Sequence, residues 1–232
     1  MASLSTWAYT LMFAALVTTQ QRTEQIALAP PKSNSLDSGV SKVQNELKKA
    51  EIFPTVIDEF LPSLLLDVEW TSGEEASLGN TLKVDKVQDQ PSFTVRRDPA
   101  SSSLHMEESD VTYTITITDP DAPSRNNPKW SEFCHFIATG IHVSSSAIIT
   151  SSFKDIIPYQ PPGPPPKTGK HRYVFLLFAP ANGTTDSLNL SKPSDRKHWG
   201  TGKERHGVRD WASENDLRPV AANFIYAQNE QQ

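Results

Sequence analysis

The sequence is short of cysteine, of long apolar runs and of excess positive charge. It holds a single cysteine, Cys134, and lacks the roughly 18 consecutive apolar residues that a bilayer-spanning helix requires. One cysteine excludes an intramolecular disulfide framework and any metal site built from several cysteines. The 22 Lys and Arg against 27 Asp and Glu give a net charge of −5. Because phosphate neutralisation needs a basic surface, this balance argues against a nucleic-acid partner.

Several catalytic and cofactor motifs are missing as well. The chain has no G-x-S-x-G nucleophile elbow and no H-E-x-x-H pair of metal ligands. Its glycine pattern fits neither a phosphate-binding loop nor a dinucleotide fingerprint. An enzyme is therefore the weaker class, and we expect no cofactor and no metal site. A hydrolase is kept as the third hypothesis.

The N-terminal part differs in composition from the rest of the 232 residues. The apolar run 7–17 is followed by polar residues, as in a secretory signal, although no Lys or Arg precedes it. The alternative is an uncleaved tail. Residues 29–40 have the Pro, Ser, Asn and Gly content of a linker. We predict a leader and flexible linker over 1–37 and one domain over 38–232. A cleaved leader implies a secreted or vacuolar protein, and an uncleaved one a cytoplasmic protein.

Strands dominate the pattern of the remaining chain. No regular strand–helix alternation appears, so the sequence predicts a mainly β, largely antiparallel fold with a few peripheral helices. Residues 171–180 are apolar throughout after Arg172, which indicates a central strand covered on both faces. Helices are predicted from Ser38 or Ser41 to Pro54 and over 205–217. Strands are predicted over 64–70, 83–87, 92–95, 111–119, 132–141, 171–180 and 220–228.

Two carboxylates stand in a proline-rich loop after the clearest strand. Alternation places Ile115 and Ile117 on one strand face and continues that face to Asp119. A carboxylate at the buried end of a strand is costly without partners. Asp121 follows in the same loop, in which the Ala122–Pro123 peptide is a candidate for the cis form. The alternative is a rigid turn with solvated Asp side chains.

Two histidines lie near the beginnings of apolar strands. Adjacent residues of a strand point to opposite faces, so Cys134 cannot serve as the partner of His135, and we interpret it as a small buried hydrophobe. His171 follows the proline-rich loop 159–170. By itself His171 can be a core histidine, and the prolines can be a polyproline ligand, but a stiff loop leading into a central strand suits the rim of a pocket.

These features would converge if the three strands meet. Asp119, Asp121, His135 and His171 would then line one cavity. An Asp near a His favours the imidazolium form. Partly charged imidazoles suit a phosphate or carboxylate, whereas the carboxylates suit an ammonium group or orient the rings. The residues thus favour a binding pocket over a catalytic site.

The strings TDPDAPSRNNPKWSEFCHF (118–136) and GPPPKTGKHRYVFLLF (163–178) closely resemble the phosphatidylethanolamine-binding protein family. Weaker similarity extends over about residues 41–228. KWSEFCH (129–135) and the closing segment from His198 resemble the fungal carboxypeptidase inhibitors of that family. The resemblance implies a large antiparallel sheet flanked by a smaller sheet and helices, and a pocket for phosphate, acetate or a phospholipid head group. Its pocket positions carry over to Asp119, Asp121, Pro123, Trp130, Phe133, His135, Gly163, Pro165, His171 and Tyr173.

The resemblance also implies a function, with two versions left open. The first is a non-enzymatic inhibitor of a serine carboxypeptidase that acts through its N-terminal segment. The second is a phospholipid- or phosphate-sensing regulator of a kinase cascade without protease inhibition. In both versions membrane contact is at most peripheral. One departure from the family pattern is Lys167, which stands where a glycine is more usual.

Overall fold

The computed structural model describes residues 39–98, 111–142, 148–149 and 154–232. The leader and linker predicted over 1–37, and Ser38, lie outside these residues. Strands β1 to β9 span Leu64–Glu69, Asn80–Lys83, Ser92–Arg97, Thr112–Asp119, Phe133–His142, Ile148–Ile149, Lys154–Ile157, His171–Pro180 and Leu217–Gln228; helices α1 and α2 span Gly39–Lys49 and Val208–Glu214. Neither helix is long and apolar enough to cross a bilayer.

The strands form two sheets. The large sheet has the order β2-β9-β8-β4-β5-β7, and the small sheet has the order β1-β3-β6. Every pairing is antiparallel except that of β2 with β9. The mainly β, antiparallel prediction is therefore confirmed.

The central strands of the large sheet, β4 and β8, are buried on both faces. Ile115 and Phe175 lie in a core layer that faces the small sheet, whereas Val174 packs in a second layer with Val43 of α1 and Trp211 of α2. All ten residues of β8 are buried, as predicted for a central strand. The threonine face of β4 is buried too, because the helical side of the molecule covers it.

One local prediction needs correction. Residues 83–87 are not extended: β2 ends at Lys83, and Val84–Lys86 form one 3₁₀ turn, with the Val87 N–H 3.3 Å from the Val84 carbonyl oxygen. Helix α1 begins at Gly39, and the candidate cap Ser38 lies outside the described residues. The Val40 N–H in the first turn of α1 donates to Asp98 Oδ2 at 3.0 Å, a contact between residues so distant in sequence that no local pattern indicates it.

Candidate functional site

A cavity of about 160 Å³ lies where β4 ends and where β5 and β8 begin. Register explains the meeting: Asp119 pairs with Phe133 of β5, and the neighbouring Thr118 pairs with Val174 of β8. All the predicted site residues except Asp121 line this cavity: Asp119, Pro123, Trp130, Phe133, His135, Gly163, Pro165, His171 and Tyr173. The chain also contributes lining residues that the sequence did not single out: Ala122, Gln160, Pro161 and Pro164.

A buried acid–base pair forms one wall. His171 Nδ1 lies 2.8 Å from Asp119 Oδ2, and both side chains are less than 5% exposed. The other oxygen, Asp119 Oδ1, accepts the Asp121 N–H at 2.7 Å. The costly carboxylate at the strand end is therefore compensated by an imidazole and a backbone amide.

Hydrogen bonding favours the charged form of His171. The Thr168 hydroxyl donates its hydrogen to the Pro165 carbonyl at 2.7 Å, so it accepts from His171 Nε2 at 3.0 Å. With Nδ1 donating to Asp119, both ring nitrogens carry a proton. Burial opposes this charge, but the hydrogen bond and the charge of Asp119 outweigh it and raise the pKa of His171.

The surroundings of His135, unlike those of His171, favour the neutral imidazole. Its Nδ1–H donates to the Gln160 carbonyl at 2.7 Å, and the Gln160 N–H donates back to the His135 carbonyl at 2.8 Å. The ring packs against Phe133 and Tyr173, with centroid distances of 5.0 and 5.2 Å. Burial lowers the pKa of His135, although the charge of Asp119 opposes the shift. The neutral ring therefore leaves Nε2 as its acceptor.

Asp121 supports the cavity from behind and does not line it. Asp121 Oδ1 accepts from Arg172 Nη2 at 2.6 Å, and Oδ2 accepts from Arg172 Nε and its backbone N–H, each at 2.9 Å. Arg172 Nη1 also donates to the carbonyls of Ala50 and Glu51, just after α1. The expectation that both acids share the cavity is thus wrong for Asp121, because Arg172 on the opposite face of β8 engages it.

The proline loop is tied to the C-terminal residues. The Lys167 N–H donates to the Gln231 carbonyl at 2.8 Å, and the Asn229 side-chain amide donates to the Pro164 carbonyl at 3.2 Å. Lys167 itself has φ 61°, the left-handed conformation that glycine adopts most easily. The backbone therefore follows the path expected for a glycine at this position, with a lysine in its place.

Two lysines accompany the aromatic rim. The Nζ atoms of Lys197 and Lys129 lie 4.7 and 5.8 Å from the ring centroid of Trp130, within cation–π range. Both lysines are exposed, and the half-buried Trp130 ring borders the cavity. The rim thus presents positive charge beside the opening.

Arg196 holds the backbone around His135, and no sequence pattern indicated it. Its Nη1 donates to the carbonyls of Cys134 and His135 at 3.0 and 3.1 Å, and its Nη2 donates to the Pro158 carbonyl at 2.8 Å. The three carbonyl groups that Arg196 binds are distant from it in sequence, so no local sequence pattern could have predicted this role.

Three further sequence-based expectations concern the thiol of Cys134, a metal site and the Ala122–Pro123 peptide. Cys134 is buried in the helix-side core, and burial raises the pKa of its thiol well above the ordinary value. Among the residues that the structure describes, no group of three His, Cys, Asp or Glu side chains is arranged to hold a metal ion. The Ala122–Pro123 peptide is cis.

Comparison with known proteins connects this arrangement to one family. The family model described as phosphatidylethanolamine-binding protein matches residues 72–225. The Saccharomyces cerevisiae protein named carboxypeptidase Y inhibitor is 37% identical over 203 residues, which cover 78% of this chain and 92% of the relative. CEN-like protein 1 of Nicotiana tabacum is 30% identical over 192 residues, covering 82% and 95% of the two chains.

A solved structure shows the same fold. The carboxypeptidase Y inhibitor, crystallised in complex with its cognate proteinase, superposes with a TM-score of 0.76 and 36% identity. The match covers 85% of this chain and 100% of that chain. The similarity therefore includes the whole of that inhibitor and not only the segments around the cavity.

Proposed function

Because this chain belongs to the phosphatidylethanolamine-binding protein family, we propose that it is a non-enzymatic inhibitor of a serine carboxypeptidase of the carboxypeptidase Y type. The observation that carries the proposal is the similarity to the yeast inhibitor over nearly that protein's full length. The inaccessible Cys134 thiol supports a non-enzymatic role, because a nucleophile has to reach its substrate.

Inhibition can be tested by titrating carboxypeptidase Y activity with the full-length protein. A tight inhibitor removes activity in proportion to its concentration until the two proteins are equimolar. An unrelated serine endopeptidase, assayed in parallel, should keep its activity. Full carboxypeptidase activity at micromolar concentrations of the protein would refute the proposal.

We further propose that the cavity binds the phosphate of a small molecule or of a phospholipid head group. The cavity has the size of such a group, and the Lys129–Trp130–Lys197 rim supplies positive charge at its opening. This role also fits the second version of the function, a phosphate- or lipid-sensing regulator of a kinase cascade. Phosphorylethanolamine at millimolar concentration should shift the ring resonances of His135 and His171 in NMR spectra, and unchanged resonances would count against this pocket.

We also propose that residues 1–37 contain a cleaved leader followed by a linker, so that the mature protein is secreted or vacuolar. The support is the order of apolar run, polar residues and linker in the sequence. N-terminal sequencing of the natively produced protein tests this directly. A mature chain that starts at Met1 or Ala2 would instead favour the cytoplasmic alternative.

A further inference from the structure

The positive charge of the lysines lies at the rim, and the buried wall of the cavity offers an anion no uncompensated positive charge. The charge of His171 is matched by Asp119, and the charge of Arg172 is matched by Asp121. These two buried pairs leave the cavity wall and its support without net charge. An anion that loses its hydration shell here needs a compensating charge or several donors.

Neither buried cation has a donor free to meet a ligand in the cavity. His171 donates through Nδ1 to Asp119 and through Nε2 to Thr168, whose own hydrogen goes to Pro165. His171 therefore cannot meet a ligand without giving up a buried hydrogen bond, which is costly. Arg172 uses four of its five guanidinium N–H groups on Asp121 and on the backbone carbonyls after α1, and its side chain lies on the opposite face of β8, outside the cavity lining.

His135 is the wall residue whose state can change. Its Nδ1–H is committed to the Gln160 carbonyl, so a neutral ring presents an Nε2 lone pair, which repels a phosphate or carboxylate oxygen. One proton on Nε2 converts that acceptor into a charged donor. The reciprocal hydrogen bonds with Gln160 hold the ring in place, so the change needs no movement.

We infer that the cavity takes up an anionic group together with one proton, which is held on Nε2 of His135. The ligand class is a phosphate ester or carboxylate, and the bound state pairs its charge with a His135 imidazolium. This inference rests on the anion-binding role proposed above and adds a condition to it: the free site is neutral at His135, and occupation makes it cationic.

The charged and titratable groups around His135 are compatible with the uptake of a proton when an anion binds. Asp119 favours the imidazolium, whereas Arg196 and His171 disfavour it, and burial disfavours it most. The Tyr173 hydroxyl stays protonated because burial and Asp119 raise its pKa well above the ordinary value. A bound anion therefore adds the stabilisation that tips His135 to its charged form.

The probe for the experiment is dimethyl phosphate, whose own charge does not change over the neutral range. Its affinity for the full-length protein is measured by NMR titration across this range. Because the ligand cannot bring a proton, we expect the affinity to weaken towards about tenfold for each pH unit above the ordinary histidine pKa of about 6.5. The ¹⁵N resonances of the His135 ring should move from the neutral to the imidazolium pattern on binding, while those of His171 stay cationic.

Two variants make the test specific. In His135→Gln the affinity, if measurable, should lose its pH dependence, whereas His206→Gln, which changes an exposed histidine outside the cavity, should behave like the wild type. If the variant does not bind, the ¹⁵N spectra of the wild type decide. Binding with a neutral His135, or with pH-independent affinity, overturns this inference and leaves the anion pocket intact. Absence of any binding overturns both.

Discussion

At the scale of single residues, Glu132 is the group that conflicts most with its surroundings. It is fully buried beside the cavity-lining Phe133, and its Oε2 accepts from the Thr118 hydroxyl at 3.1 Å and from the Val208 N–H at 3.2 Å. Its Oε1 has no hydrogen-bond partner within the part of the chain that the structure describes. Burial raises the pKa of Glu132 to about 7, although the hydrogen bonds from Val208 and Thr118 lower it.

This carboxyl group should make the protein less stable as the pH rises. Because the folded-state pKa is raised, the protonated form favours folding: its contribution is complete below the unfolded pKa of about 4.3 and is lost as the pH rises through 7. Glu132→Gln mimics the protonated form. We expect its free energy of unfolding to match the wild type well below pH 4.3 and to exceed it by about 3–4 kcal/mol above pH 8.

Urea unfolding of the two proteins across this pH range measures the difference. The matched control is Glu75→Gln, which changes an exposed carboxylate and should leave the pH profile unaltered. A constant gap between Glu132→Gln and the wild type at every pH would show that Glu132 titrates normally.

Lys167 is the second residue with a testable cost. At φ 61° a lysine pays the penalty of about 1–2 kcal/mol for a left-handed backbone, which a glycine avoids. Glycine also makes the unfolded chain more flexible, which offsets part of the gain. We expect Lys167→Gly to raise the free energy of unfolding by up to about 1 kcal/mol, whereas Lys170→Gly, outside the left-handed region, should lower it. A clear loss in Lys167→Gly would contradict the assignment of strain.

At the scale of elements, the Asp121–Arg172 pair connects the cavity loop, β8 and the end of α1. Both side chains are buried, so removing one partner leaves an uncompensated charge inside the protein. We expect Asp121→Ala to lower the free energy of unfolding by about 3–5 kcal/mol. Asp67→Ala breaks the exposed pair with Arg96 and should cost less than about 1 kcal/mol. Equal effects of the two substitutions in denaturant unfolding would show that the buried pair is not what holds these elements together.

Sequence patterns predicted elements well where a pattern is local. The alternation of β4 and the apolar run of β8 each depend on neighbouring residues, so these strands followed from the chain alone. The approach of Asp119 to His171 was predicted only on the condition that the strands meet, because strand pairing joins residues distant in sequence. The partner of Asp121 did not, because Arg172 faces the other side of β8. The burial of the β4 threonines also depends on chain segments that are distant in sequence.

At the scale of the whole molecule, the described residues form a large sheet that is covered by the small sheet on one face and by the two helices on the other. The cavity lies at the ends of the central strands. The cavity occupies a small part of the surface, so a protease can be bound elsewhere while the cavity is occupied. The two proposed roles are therefore compatible in one protein. We expect saturating dimethyl phosphate to leave the inhibition of carboxypeptidase Y unchanged; a severalfold change in the inhibition constant would show that the two sites are coupled.

Calorimetric titration of the full-length protein into carboxypeptidase Y measures directly whether this protein binds a serine carboxypeptidase. Calorimetry counts binding sites without relying on a substrate. We expect a saturable isotherm with one protein bound per enzyme and a dissociation constant below about 1 μM. An isotherm indistinguishable from dilution, with both proteins folded and at micromolar concentrations, would contradict this expectation.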